Sequence, residues 1–248
     1  MCDQKRTFIA ITVSGLKLTP SVKPIDWRGT SKKALLSFCD EVKKTAGFEL
    51  HRVQYGLEPR HWKPRNDLGS GVVEIRIDND NNQYRIMYVA TFAESVYVLH
   101  CFTKKTQKTS RIDNEIVCCG IKKSPKKGVL NMSNHNMNNH IDTQSRHITE
   151  ADGNIFADLG FSDSQAQQLH AESLTQINAE LEMKITLMVE ITQWIASNNL
   201  KQSAAAEILN ISRPRVSDVV NQKTEKFTID SLVGMLSMTG KRARLVIE

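Results

Sequence analysis

Residues 122–154 constrain this chain more than any other stretch, because they are not expected to fold into a core. They run Lys-Lys-Ser-Pro-Lys-Lys-Gly (122–128) and then Asn-Met-Ser-Asn-His-Asn-Met-Asn-Asn-His (131–140). Polar sequence without periodicity buries too little apolar area to offset the entropy of ordering it. A chain of 248 residues interrupted in this way is expected to fold as two bodies joined by a linker. His135, His140 and His147 lie near Cys118 and Cys119. Their spacing fits no zinc pattern, so no metal is assigned.

Charge divides at the same place. Residues 1–130 hold 23 Lys+Arg against 13 Asp+Glu, a net of +10. Residues 141–200 hold two basic against nine acidic side chains, a net of −7, and residues 201–248 return to +3 with eight against five. Two basic blocks call for a polyanion, and the acidic block between them is a candidate mate for the first half. The overall 40% hydrophobic fraction excludes global disorder. No apolar run of about 18 residues exists, which excludes a transmembrane helix and any membrane partner of that kind. Phe8–Val13 lacks a cleavage site for a secretory signal. Five cysteines, an odd number without a C-x-x-C pair, suit a reducing cytoplasm.

The first half reads as helices followed by an antiparallel meander. A helix is expected from Ser31 to about Thr45, with Gly47 interrupting it and a second short helix over Phe48–Gly56. Val72–Ile77, Tyr84–Thr91 and Ser95–Phe102 alternate as strands, separated by the polar turn 78–83 and by Ala93–Glu94. After them, Arg111–Val117 begins a helix that Cys118-Cys119-Gly120 and Pro125 are expected to halt. The second half is helical. Leu174, Ile177, Leu181, Ile185, Met188, Ile191 and Ile195 form an apolar stripe behind a cap at Ser162.

Residues 202–221 carry the sharpest motif. Ala206 is small enough for two helices to cross closely, and Asn210 suits a tight turn. Leu209, Ile211, Val216 and Val219 face inward, Ser212 caps the second helix, and Pro214 fits its first turn. That leaves Ser212, Arg213, Arg215, Ser217, Asp218 and Asn221 for DNA, with Gln202 placed to touch a phosphate. A capped helix over Ile229–Met238, a stop at Gly240 and a strand over Lys241–Glu248 complete the reading. From Asn154 to the end, the chain resembles antitoxins of the HigA type in the Cro/repressor-like (XRE) helix-turn-helix superfamily. The resemblance implies a homodimer on palindromic operator DNA that represses its own operon and neutralises a toxin.

The first half resembles HigB toxins of the phage-derived branch of the RelE superfamily over residues 23–112. The resemblance is carried by Lys23–Trp27, Arg52–Leu57, Trp62–Pro64, Glu74–Ile77, Tyr84–Val89 and above all Val96–Thr109. It implies cleavage of mRNA on the ribosome. Metal-free cleavage of RNA needs clustered cations and a proton acceptor, and no cofactor. Arg76 and Arg85 sit on adjacent strands, where they are expected to flank one phosphate. Lys104, Lys105 and Lys108 follow the third strand, Lys63 is a further RNA contact, and His100 is the candidate base, with His61 and the strand carboxylate Glu74 as the alternatives and Tyr84 as a group that could orient the base. The domain reading is an extension at 1–22, a toxin-like domain at 23–121, a linker at 122–153 and an antitoxin-like domain at 154–248. The fold class is α+β followed by all-α with a short C-terminal strand. The expected function is a fused toxin–antitoxin in which the acidic block covers the Arg/Lys surface, so that cutting within 122–154 releases activity. The competing reading is a DNA-binding regulator whose first half is catalytically inactive.

Overall fold

The computed structural model describes residues 22–80, 82–105, 108–122 and 142–243. Packing divides the chain into two units, Pro20–Thr175 and the part from Gln176 onward, and the boundary falls inside one long helix.

In the first unit, β1 (Ile25–Arg28) leads into α1 (Ser31–Leu36) and α2 (Asp40–Gln54). The strands β2 (Trp62–Pro64), β3 (Val72–Asn79), β4 (Asn82–Val89) and β5 (Val96–Lys104) follow, and then α3 (Arg111–Lys122). The expected meander is β3–β5. Its first turn is tighter than the polar run suggested, with Asp80 in the left-handed region at φ 50°. The sheet has six strands in the order β2-β3-β4-β5-β1-β6, with β1 parallel to β5 and the other pairs antiparallel.

Strand β6 (Ser145–Thr149) lies inside the stretch assigned to the linker. It closes the edge of β1, pairing Ile25 with Thr149 and Trp27 with His147. The pairing has a side-chain reason. Trp27 Nε1 donates to Thr149 Oγ1 at 2.8 Å, and Thr149 Oγ1 in turn donates to Asp158. His147 and Lys32 also bond the Asp158 carboxylate, at 2.8 and 3.1 Å. Burial alone would raise the Asp158 pKa, but the bonds from Thr149, His147 and Lys32 outweigh it and hold the carboxyl below its ordinary value.

The helices depart from expectation at two glycines. The break in the first helical region comes at Ser37–Cys39, and α2 runs straight through Gly47. A Cβ at Gly47 would lie 2.6 Å from Phe156, so glycine there admits a ring where an interruption was expected. Helix α3 likewise continues through Cys118-Cys119-Gly120, because Gly120 lets the helix lie on Leu99, 3.2 Å from where a Cβ would sit.

The ring that fills the Gly47 notch belongs to α4 (Ile155–Asp158), whose first turn is capped by the Asn154 side chain. Ile155, Phe156 and Leu159, with Ala166 and Leu169 from the start of α5 (Asp163–Ser197), join the core formed by α1, α2 and one sheet face. Ser162 precedes α5, and Gln165 reaches back to its amide and hydroxyl. The other sheet face packs under α3 through Val72, Met87, Val89, Tyr97, Leu99 and Val117.

The second unit is helical. The last turns of α5 meet α6 (Gln202–Ile208), α7 (Arg213–Val220) and α8 (Ile229–Met238) around Met188, Ile191, Ala205, Leu209, Val216, Val219 and Leu232. Thr228 caps α8 by accepting from the Ser231 amide, and Gly240 ends it at φ 81°. Of the strand expected over 241–248, residues 244–248 lie outside the described residues, and 241–243 are not strand. The extension up to residue 21 is outside them too.

Candidate nucleic-acid sites

Strand alternation places one polar patch on the α3 side of the sheet. Register sets Lys63, Glu74, Met87 and His100 in one row across β2–β5. The next row holds Arg76, Arg85 and Phe102, and the one after it Asp78, Gln83 and Lys104. Lys63, Arg76, Arg85, His100 and Lys104 thus share one face. Lys105 and Lys108 lie beyond β5 and are exposed, and 106–107 between them fall outside the described residues.

The centre of the patch is a carboxylate. Glu74 is 4% exposed and meets three guanidinium groups. Arg65 Nη1 lies 3.0 Å from its Oε2, while Arg76 Nε and Arg85 Nε lie 2.9 and 3.3 Å from its Oε1. The expected pairing of Arg76 with Arg85 around one phosphate is not what these positions support. Arg85 is buried, and its Nη atoms donate to the Tyr84 carbonyl, Gln83 Oε1 and Asp78 Oδ1. Among the described residues the Arg76 side chain is engaged through Nε alone, and it is 41% exposed. The difference follows from position. Gln83, Asp78 and the Tyr84 carbonyl gather around Arg85, whereas among the described residues Arg76 bonds Glu74 alone through its side chain.

His100 is buried, stacks on Phe102 at 5.2 Å, and binds Asp113 Oδ1 through Nε2 at 2.8 Å. Its Nδ1 is buried without a hydrogen-bond partner among the described residues. Asp113 sits in the first turn of α3 and is held by Ser110. The neighbouring Asn114 accepts from Arg65 Nη2 at 3.2 Å, so α3 is tied to the same network. Arg65 also grips Asp67 at 2.8 Å and holds its carboxyl below the usual range. Sequence reasoning did not select Arg65, Asp113 or Asn114. Each sits outside the strands, and only the fold brings it to Glu74 or His100.

The part of the acidic segment that belongs to the first unit does not reach this patch. Residues 142–175 of the first unit lie along the β1 edge and on the α1–α2 side, the opposite face of the sheet. Their carboxylates do meet basic side chains of the first half, but these are Lys32 with Asp158 and Lys44 with Glu172, at 3.1 and 4.0 Å. There, too, His51 of α2 bonds Ser173 at 2.8 Å and lies 4.7 Å from the His170 ring. Burial first, and then the His170 charge, push the His51 pKa down to about 4.

In the second unit, α6 and α7 are joined by a turn with Asn210 at φ 51°, and Val216 and Val219 face the core. Ser212, Arg213, Pro214, Arg215 and Asn221 are exposed, while Gln202, Ser217 and Asp218 are half-buried. Ser212 stands at the N-cap of α7 without a side-chain cap bond. Arg215 lies over the Phe227 ring at 4.8 Å, and Asn221 donates to the Ser217 carbonyl at 2.7 Å. Asp218 is engaged by Lys223 and Lys226, at 2.9 and 2.8 Å, which hold its carboxyl below the ordinary value. Arg213 makes no hydrogen bond or ion pair among the described residues.

Residues 33–126 match the family described as phage derived protein Gp49-like, and residues 155–248 match a helix-turn-helix domain family. The chain joins a Gp49-like toxin domain to a helix-turn-helix domain. This pair has the layout of a fused toxin–antitoxin. No curated protein and no solved structure matches the chain. The family boundary differs from the packing boundary, since residues 155–175 match the helix-turn-helix family but pack against the Gp49-like domain. Among the described residues, no helix is long and apolar enough to cross a membrane.

Proposed function

We propose that the Gp49-like domain is a metal-independent endoribonuclease acting on mRNA at the ribosome, and that the antitoxin-like half holds it inactive in the cytoplasm. The helix-turn-helix domain pairs as a homodimer on operator DNA and represses its own operon. The enzymatic part rests on one observation, the outward Nη edge of Arg76 above a buried carboxylate, with Lys63 and Lys104 on the same face.

In such a cleavage the 2′-OH loses its proton and O2′ bonds to phosphorus. The P–O5′ bond then breaks, and O5′ takes up a proton. Charge builds on the phosphorane oxygens, where a fixed guanidinium is worth on the order of 10²-fold in rate. Lys104, Lys105 and Lys108 add positive charge beside it, and His100 with Asp113 is the proton acceptor. DNA recognition falls to Arg213, Ser212, Ser217 and Asn221, with Gln202, Arg215, Lys223 and Lys226 on the backbone.

A second reading has an observation of its own. Arg85 is spent on internal partners and His100 is buried, as in a domain that has lost catalysis and serves a DNA-binding regulator. Expression of residues 1–126 and of residues 1–175 in growing cells separates the two. The enzyme reading expects one of them to arrest translation and cleave mRNA, with both effects lost in Arg76→Ala. If neither fragment slows growth, the regulator reading stands.

A further inference from the structure

A carboxylate at the centre of a phosphate site is a contradiction unless something neutralises it, since like charge would repel the ligand. Glu74 is buried almost completely, and a carboxylate so placed persists only with compensating charge and hydrogen bonds. The three arginines around it are not equivalent. Arg65 spends its remaining nitrogens on Asp67 and Asn114, and Arg85 spends its own on Gln83, Tyr84 and Asp78. Both are nearly buried, with side chains 11% and 5% exposed. Arg76 gives Glu74 only its Nε, at 2.9 Å, and neither Nη atom has a partner among the described residues. A guanidinium held at Nε keeps its Nη1/Nη2 edge in a fixed plane, and that edge matches two oxygens of one phosphate.

We propose that Glu74 is the positioning residue of the RNA site. It holds Arg76 so that the Nη edge grips two non-bridging oxygens of a phosphodiester, while Arg65 and Arg85, at 3.0 and 3.3 Å, fix the Glu74 carboxylate in place. The proposal rests on the reading of this face as an RNA site. It gives the three arginines separate tasks, of which only that of Arg76 is directed at the ligand.

The test is a double-substitution cycle on the full-length chain. The probe is a fluorescein-labelled 2′-O-methyl decaribonucleotide, which binds without being cleaved, followed by polarisation. Arg76→Lys, which keeps the charge and loses the fork, should weaken binding about tenfold, and Glu74→Gln should weaken it by a similar factor. The double variant should be no weaker than about tenfold, because Glu74 acts through Arg76. Losses that multiply to about a hundredfold overturn the assignment, as does wild-type affinity in Glu74→Gln when Arg76→Lys is impaired. Equal binding by wild type and Arg76→Lys fails the RNA reading of the face itself. Should Glu74→Gln not fold, the arginine side-chain NMR signals of the wild-type chain decide. Added RNA is expected to shift the Arg76 Nη resonances and leave the slowly exchanging Nε–H in place. Loss of that Nε–H on RNA binding means that Glu74 has let go, and the proposal falls.

Discussion

The two units hold their cations by opposite means. On the sheet, Arg65, Arg76 and Arg85 are gathered by a carboxylate 4% exposed, and two of the three have further partners. Along α7, Lys223 and Lys226 share Asp218 at the surface, and Arg215 leans on the Phe227 ring. Where dielectric is low, an ion pair is strong and its geometry is fixed. Where water reaches, the same pair is weak and the side chains can move to meet a ligand. A buried anchor suits a reaction that tolerates little displacement of charge. A surface anchor suits a duplex whose phosphates must be met wherever they lie.

The contrast can be broken in order of size. Glu74→Ala leaves three guanidinium groups around a void and should cost about 3–5 kcal/mol in the first unit, read by denaturant unfolding. A loss below about 1 kcal/mol would put Glu74 among ordinary surface pairs. Acid should come next. The His51 pKa is lowered from 6.5 to about 4, so the unfolded state binds the extra proton first. Stability is intact above pH 6.5 and falls as pH drops toward 4, by about 3 kcal/mol. Residues 176–243 contain no histidine, so this acid sensitivity belongs to the first unit. Melting followed across that pH range should show it, and His51→Gln should flatten the profile. Arg213→Ala is expected to cost roughly 1–3 kcal/mol in operator affinity and to relax the choice of particular bases, as measured against a library of sites. A uniform loss across all sequences would move Arg213 to the phosphates. Asp218→Asn should do least. Both lysines keep their charge, so operator affinity should stay within about fivefold, and a larger fall would mean that the surface anchor is as strict as the buried one.

Much of this was legible along the chain wherever the deciding contacts were local. Strands β3–β5 show as apolar runs bounded by polar turns, because both faces of the sheet pack on a core and the polar side chains gather toward one end of it. The pair α6–α7 shows because its turn, its small residue and its inward valines fall within about twenty residues. What failed was decided at a distance. Gly47 reads as a break until Phe156 is found in its notch, and Gly120 reads as a stop until Leu99 is seen beneath it. Strand β6 hides in a polar stretch, because only Thr149 turns inward to Trp27 while Ile148 stays exposed. Alternation along the chain puts Arg76 and Arg85 on one face, where the register has them, but the partners each makes there could not be read from it. Arg76 and Arg85 look alike in sequence, and they differ only in what Gln83, Asp78 and Tyr84 do to the second of them.

The Trp27–Thr149 bond and the Phe156 ring in the Gly47 notch change what a protease would accomplish. Severing the backbone between 122 and 142 yields two polypeptides, but the downstream piece still supplies a strand and an aromatic plug to the upstream one. The nicked molecule is a noncovalent pair, as two separately translated partners would be. Parting the two pieces means undoing the β1–β6 pairing and withdrawing Phe156 from the Gly47 notch, neither of which a cut in the intervening chain does by itself.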